Sequence, residues 1–305
     1  MMKHNSALNW LVPLTAVLAL ISAAAGLFWQ DGGAAFSFTS VHGQTVAMFG
    51  EGLYRNDTLM AGAAFRGTDA ITLVVALPLL AISYWFSQGG SLRGHFLLTA
   101  VMSYFLYNAT QMAFAAAYNN LFLVYIAYFS ASLFGFILSF TAIKVDTLPA
   151  RVTAGVPYRG IAIFLFVTGL APLLLWGSEL VIALLHKQTP PLLGSYTTLI
   201  THAVDLAVIV PTVYLAGVLL LRRAPLGYLL AFIILTLLAL IGLVVAAQTI
   251  VQLQVGIVYE AGVLIGMVGS WLLLGVIALW LVVRLLRHIT PGNRREAATL
   301  QAIRA

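Results

Sequence analysis

Apolar residues form long runs along the chain, and polar residues fall mostly between them. Each run is close to the ~20 residues that an α-helix needs to cross the ~30 Å hydrocarbon core of a bilayer. Helix breakers and charges separate the runs, as in "SQGGSLRG" from Ser87 and "RRAPLG" from Arg222. The pattern predicts eight membrane-spanning helices, at residues 9–28, 69–87, 95–117, 120–143, 160–185, 199–221, 226–250 and 261–286. The predicted fold class is therefore all-α: one polytopic transmembrane helix bundle that uses residues 1–305 as a single membrane domain.

The longest polar segment between predicted helices covers residues 30–68 and is expected to be an outer loop. Within it, "AAFSFTSVHGQTVAMF" alternates weakly around "HGQ", which predicts a short β-hairpin packed on the outer face. Asp69 follows Gly67 at the end of this segment, so we expect Asp69 to cap the second helix.

Composition agrees with a membrane protein. Hydrophobic residues make up 62% of the chain and charged residues 8%, whereas soluble domains carry roughly a quarter charged residues. The absence of cysteine from the sequence excludes disulfides, thiolate zinc sites and a cysteine nucleophile. The sequence also lacks a P-loop, a dinucleotide-binding glycine pattern and a G-x-S-x-G elbow, which argues against ATP-driven and nicotinamide-dependent chemistry. We therefore predict no cofactor and no metal.

Basic residues concentrate on one side of the predicted bundle. With the N-terminus inside, twelve of the fifteen Lys and Arg residues fall in inner segments, which favours cytoplasmic positions for both termini. The formal net charge of +6 is concentrated at helix ends and in the C-terminal tail. These residues are expected to anchor the topology and contact anionic lipid headgroups, not nucleic acid.

Acidic residues show the opposite distribution. Seven of the nine fall in outer segments or in the outer halves of predicted helices: Asp31, Glu51, Asp57, Asp69, Glu179, Asp205 and Glu260. Carboxylates contribute little to membrane topology, so topology does not explain those inside helices. Such side chains are costly at membrane depth and are candidates for lining a cavity.

Two predicted helices carry polar stripes. The third contains Tyr104, Tyr107, Asn108 and Gln111, whose spacing puts them on one helical face. The fourth carries a similar stripe that begins at Tyr125. The two stripes either line a cavity or bond to each other as helix-packing contacts, and the sequence leaves both interpretations open.

The strongest chemical candidates lie on the fifth and sixth helices. Glu179 is about two turns from the outer end of its helix, where a carboxyl group needs a partner such as His202, Arg55 or Arg66. His202 and Asp205 are three residues apart and can touch on one helical face. An imidazole beside a carboxylate suits a proton relay or a general base, and the alternative is an interfacial pair bonded to loop backbone.

Further outer candidates come from the loops. Arg55 with Asp57, and Arg66 with Asp69, either order the outer loop by local pairing or bind an anionic ligand. All outer candidates together predict one outward-facing polar pocket, lined by Arg55, Asp57, Arg66, Asp69, Tyr107, Asn108, Gln111, Asn119, Asn120, Glu179, His202, Asp205 and Glu260.

Three stretches carry a resemblance to a known group of proteins. "GEGLYRNDTLMAGAAFRGTDAITLVVALPLL", "AAAYNNLFLVYIAYFSASLFGF" and "THAVDLAVIVP" resemble a group of uncharacterised bacterial multi-pass membrane proteins with no assigned activity. The resemblance covers about two-thirds of the chain. It implies a bacterial inner-membrane location and transfers no catalytic residues.

Three functional hypotheses remain from the sequence. The leading one is a transport-like or small-ligand-binding membrane protein, not an enzyme, whose ligand is a small molecule or a lipid. The second is an intramembrane enzyme acting on a lipid or lipid-linked substrate, with His202 as general base. The third is a non-catalytic subunit of a membrane complex, and the sequence does not identify protein partners.

Overall fold

The computed structural model describes residues 6–153 and 155–289, and this part of the chain is a bundle of eight long helices. The helices are α1 Leu8–Phe28, α2 Leu59–Gln88, α3 Leu92–Thr110 with its extension Gln111–Ala115, α4 Phe122–Ala142, α5 Tyr158–Leu185, α6 Ile200–Leu221, α7 Pro225–Gln254 and α8 Ala261–His288. All but α3 are long and apolar enough to cross a membrane, which makes seven such helices among the described residues. The all-α prediction is confirmed. The basic tail beyond Ile289 lies outside the described residues.

The third helix differs from the other seven because it carries the polar stripe. Its 24 residues extend roughly 36 Å by helical rise, which is enough to cross a bilayer. Over half of its first nineteen residues are buried, including Phe96, Phe105 and Asn108. Helix α3 is therefore surrounded largely by other parts of the protein, whereas an apolar helix can be surrounded by lipid.

Four helices contain a five-residue π-helical segment. These segments are Thr72–Ala76 in α2, Gln111–Ala115 at the end of α3, Asp205–Ile209 in α6 and Ile265–Gly269 in α8. A π segment adds one residue to a turn and is frequent at functional sites. Three of the four begin at a polar residue, Thr72, Gln111 or Asp205.

The most buried helix is α7, which packs against α2, α3, α6 and α8. Its apolar residues join the largest core cluster, in which the Phe96 ring meets Phe232 edge-on with centroids 5.6 Å apart. The second helix approaches α7 closely at Gly67, where an added Cβ would collide with the backbone of Gln248.

The predicted β-hairpin is present. Strand β1 (Phe36–Thr39) pairs antiparallel with β2 (Thr45–Met48), with Phe36 opposite Met48 and Thr39 opposite Thr45. The turn contains Gly43 at φ 76°, a left-handed conformation that favours glycine. The hairpin belongs to the shorter connection between α1 and α2.

The predicted start of the second helix is wrong by ten residues. The helix begins at Leu59, with Thr58 as its N-cap accepting a hydrogen bond from Ala61 N–H at 3.2 Å, and Asp69 lies inside it instead of capping it. The glycines and the charged Arg66 of residues 59–68 are typical of a loop, which is why the sequence places this segment before the helix. In the structure, glycine permits the approach to α7, and Arg66 donates to Leu27 O at 2.8 Å.

Hydrogen bonds between connections define two ends of the bundle. At the end that carries the hairpin, called the hairpin end below, the α1–α2 connection meets the α3–α4 and α5–α6 connections. At the opposite end, Gln88 donates to Asn9 at 2.8 Å and Arg93 donates to the carbonyl of Ile289 at 2.7 Å. The predicted site residues belong to the hairpin half.

Candidate functional site

Of the three candidate partners of Glu179 that the sequence offered, His202 is the one that contacts it. His202 Nε2 lies 3.1 Å from Glu179 Oε2, between α5 and α6. The other carboxylate oxygen accepts a hydrogen bond from Leu192 N–H at 3.1 Å, in the short turn between these helices. Glu179 therefore fixes both the imidazole and the connection above it, at a site where His202 is 4% exposed.

Asp205 does not pair with His202 as the sequence spacing suggested. Its two oxygens instead accept hydrogen bonds from Tyr107 OH at 3.0 Å and from Trp176 Nε1 at 2.9 Å. The Trp176 ring also lies against the His202 ring, with centroids 4.2 Å apart. The carboxylate of Asp205 therefore bonds to α3 and α5 and not to the imidazole three residues earlier on its own helix.

Gln111 completes the group, which we call the His202 cluster: Tyr107, Gln111, Trp176, Glu179, Thr201, His202 and Asp205. Thr201 donates to Gln111 Oε1 at 2.9 Å, at the start of the π segment of α3. Two buried atoms of the cluster have no hydrogen-bond partner among the described residues, His202 Nδ1 and Gln111 Nε2. The cluster thus holds hydrogen-bonding capacity that the described protein atoms do not use.

The polar stripe of α3 is divided between two neighbours. Tyr107 and Gln111 face α6, whereas Tyr104 and Asn108 both bond to Thr72 Oγ1 on α2, at 2.9 and 3.0 Å. The stripe of α4 does not face a matching stripe on α3. The buried hydroxyl of Tyr128 has no hydrogen-bond partner in the described part of the chain, and its ring packs on Phe105 instead.

Asp69 forms a second buried group, separate from the His202 cluster. It is 1% exposed and accepts a hydrogen bond from Tyr54 OH at 2.7 Å. Gly26 of α1 lies directly against the carboxylate, where an added Cβ would overlap Asp69 Oδ2 and come within 2.7 Å of Tyr54 OH. We call Gly26, Tyr54 and Asp69 the Asp69 tie, because it joins α1, α2 and the loop between them.

The remaining loop candidates are engaged in structural contacts or are exposed. Arg55 pairs with Asp31 at 2.8 Å, and the pKa of Asp31 is lowered chiefly by the hydrogen bond from Gly52 N–H. Arg66 is held by Leu27 O, with its guanidinium over the Phe49 ring. Asn119 accepts from Leu121 N–H within the α3–α4 turn. Asn120 and Glu260 are exposed.

Asp57 lies behind a cavity at the hairpin end. The cavity has a volume of about 470 Å³ and its walls come from the hairpin, the α3–α4 turn and the α5–α6 connection. Asp57 is 0% exposed, and its Oδ1 accepts from Ala117 N–H and Tyr196 OH, each at 2.8 Å. Both donors line the cavity. Burial raises the pKa of Asp57 to about 6 against the lowering effect of these two hydrogen bonds.

Several residues of these groups escaped sequence analysis. Trp176 and Tyr196 give no polar periodicity because each reads as an ordinary aromatic residue in an apolar or loop context. One available signal was the position of Trp176, three residues before Glu179 and therefore on the same helical face. Tyr54 had no comparable signal, since its partner Asp69 is fifteen residues away.

The described residues contain no group of three His, Asp or Glu side chains arranged to hold a metal ion. The His202 cluster is suited to hydrogen bonding and proton exchange, because one nitrogen of its imidazole bonds to the carboxylate of Glu179 and the other has no partner among the described residues. No protein-family model matches the chain, and no curated protein or solved structure matches it.

Proposed function

We propose that this chain is a transport-like, small-solute-binding membrane protein in which the His202 cluster contacts the solute and exchanges a proton with it. The observation that carries the proposal is the unused hydrogen-bonding capacity of His202 Nδ1 and Gln111 Nε2, both buried. Buried polar atoms are almost always satisfied, so such atoms in a functional cluster point to a further partner.

The chemistry of the two atoms limits the solute. Gln111 Nε2 is a donor, and His202 Nδ1 is an acceptor when Nε2 carries the proton that Glu179 accepts. A group that both donates and accepts, such as a hydroxyl or a carboxylic acid, satisfies both atoms. Glu179 and Asp205 are the charged groups nearest to the imidazole, on α5 and α6.

The route of the solute is from the hairpin end. The cavity includes Thr198, three residues before Thr201 in the connection that leads into α6, and Ala115 at the end of the π segment that begins at Gln111. Only a few residues of the chain therefore separate the cavity from Thr201 and Gln111 of the His202 cluster. The distribution of acidic residues along the chain, with seven of the nine assigned to this half of the bundle, supports a cation- or proton-linked process.

Fluorescence of Trp176 tests the proton exchange, because a protonated imidazole in contact with indole quenches its emission. The other five tryptophans are replaced by Phe, and emission is recorded in nanodiscs between pH 5 and 9. We expect one pH transition, which His202→Gln removes in the same background. Emission that does not vary with pH would reject proton exchange at His202.

The sidedness of the proposal has its own test. We infer from the basic residues that the hairpin end faces the periplasm of a bacterial inner membrane and that both termini are cytoplasmic. The sequence has no cysteine, so Val41→Cys in the hairpin turn and Ala150→Cys at the opposite end are unique labels. A membrane-impermeant maleimide should label only Val41→Cys in intact cells, and the reverse pattern would invert the orientation.

The enzyme hypothesis is the second candidate. A carboxylate that orients Nε2 and leaves Nδ1 unbonded to protein is the arrangement of a general base and its orienting partner. Glu179 takes that orienting role in place of Asp205. Consumption of a lipid substrate by the wild type, and none by His202→Ala, would favour this candidate over solute binding.

A further inference from the structure

The cavity at the hairpin end has aromatic walls and a buried carboxylate behind them. We propose that it binds a small organic cation of the alkylammonium class, held by the faces of aromatic rings and by the charge of Asp57. This inference deepens the proposed function by naming the class of ligand that reaches the protein from the hairpin end.

Aromatic residues supply much of the cavity wall. Five of them line it: Phe36, Phe38, Phe114, Tyr118 and Tyr196. An aromatic face attracts a cation through its quadrupole, and cages of such rings are the common means of holding a quaternary ammonium group. A cavity of about 470 Å³ is in the range of small-molecule sites.

Asp57 supplies the opposite charge. One of its oxygens accepts two hydrogen bonds from the cavity wall, and the other, Oδ2, is buried with no partner among the described residues. Ionisation of a carboxyl group at 0% exposure is unfavourable unless a positive charge compensates it. A bound cation provides that compensation and leaves the existing hydrogen bonds intact.

Protein cations do not fill this role. No lining residue that the structure describes is basic. The guanidinium two residues away in the sequence, that of Arg55, is paired with Asp31. The titratable side chains that interact electrostatically with Asp57 are the phenols Tyr54, Tyr125 and Tyr196, which are neutral in the pH range of interest.

The test compares choline with its neutral carbon isostere 3,3-dimethylbutan-1-ol, by isothermal titration of the full-length protein in nanodiscs. We expect choline to bind about tenfold more tightly at pH 7, since only choline gains cation–π and charge attraction. Choline affinity should fall about tenfold from pH 7 to pH 5 as Asp57 is protonated, whereas the isostere should bind equally at both.

Variants separate the two contributions. Asp57→Asn should abolish the preference for choline, and Phe38→Leu should weaken choline several-fold while leaving the isostere unchanged. Glu51→Gln is the matched control, because it removes a carboxylate from the same loop and should change neither affinity. If Asp57→Asn fails to fold, the pH dependence of the wild type and the Phe38→Leu result decide.

Each alternative result is informative. Equal affinities for choline and the isostere would mean an apolar site, which overturns the cation assignment but leaves the proposed function standing. Absence of binding by both probes would overturn the cavity as a site for this class of ligand. The Trp176 titration would still test the His202 cluster, so the two proposals fail separately.

Discussion

The Asp69 tie and the His202 cluster are both buried carboxylate groups in the hairpin half, yet they differ in how their polar atoms are used. Asp69 is 1% exposed, accepts a hydrogen bond from the Tyr54 hydroxyl at Oδ2, and lies directly against Gly26 at the same oxygen. In the His202 cluster, two buried nitrogens lack partners among the described residues. In the sequence, the carboxylates of both groups are candidates for the same outward-facing pocket, and only the hydrogen bonds of the structure distinguish a structural tie from a candidate site.

The largest expected effect comes from filling the space beside Asp69. Gly26→Ala puts a methyl group onto the carboxylate and the Tyr54 hydroxyl, and overpacking of this kind costs up to about 3 kcal/mol. The measurement is the thermal unfolding midpoint in detergent. Gly177→Ala is the control, because a Cβ there meets no atom within 4 Å among the described residues. Equal stability of the two variants would contradict a sealed tie.

Asp57 is intermediate between the two groups. It is buried like Asp69, but its Oδ2 has no hydrogen-bond partner among the described residues. Its folded-state pKa of about 6 exceeds the ordinary 3.8, so protonation favours the folded state. Protonation of Asp57 contributes up to roughly 3 kcal/mol to the free energy of unfolding. This contribution is fully present below about pH 4 and is lost as the pH rises through 6. Without ligand, Asp57→Asn should therefore exceed the wild type in stability at pH 7.5, and the difference should shrink at pH 4.5. A difference that stays constant with pH would be inconsistent with this burial.

Removing one tyrosine hydroxyl from each group compares them directly. Tyr54→Phe deprives the enclosed Asp69 of a donor and should cost about 2 kcal/mol, the range for a buried polar group left unbonded. Tyr107→Phe should cost less than about 1 kcal/mol, because Trp176 still donates to the half-buried Asp205. Chemical or thermal unfolding of both variants in one detergent is the measurement. A larger loss of stability in Tyr107→Phe than in Tyr54→Phe would contradict the assignment of Asp69 to the structural group.

The smallest effect is expected at the loop surface. Arg55→Gln removes an ion pair in which the arginine side chain is 52% exposed, and exposed pairs contribute little. The unfolding midpoint should stay within experimental error of the wild type, and added salt should not separate the two proteins. A clear loss of stability would show that Arg55 orders the whole α1–α2 connection.

The sequence predicts the bundle well because each apolar run has the length that a bilayer requires. It fails at the start of α2, where Gly62 and Gly67 suggest a loop, although Gly67 allows α2 to approach α7 and Gly62 lies against the Phe49 side chain. Helical spacing relates residues on one helix, which is why the polar face of α3 was predictable. It does not identify partners on other helices, so the division of that face between Thr72 and Asp205 required the structure.

The partner of Glu179 was predictable for a different reason. Its depth demanded a polar neighbour, and the sequence offered few, of which His202 was one. The cavity walls were not predictable, because Phe38 and Tyr196 meet only after a hairpin and two distant connections have come together.

The π segments inside α2 and α6 fix the number of residues that each of these helices needs to keep its two halves correctly oriented. Removing one residue between Thr72 and Ala76 would restore regular α-helix and rotate the two halves of α2 by about 100° relative to each other. Asp69 could then face the interior only if the lipid-facing residues beyond Ala76 turned inward. A single-residue deletion in Asp205–Ile209 carries the same conflict in α6. Along α2 and α6, single-residue deletions should therefore be much more harmful than substitutions at the same positions.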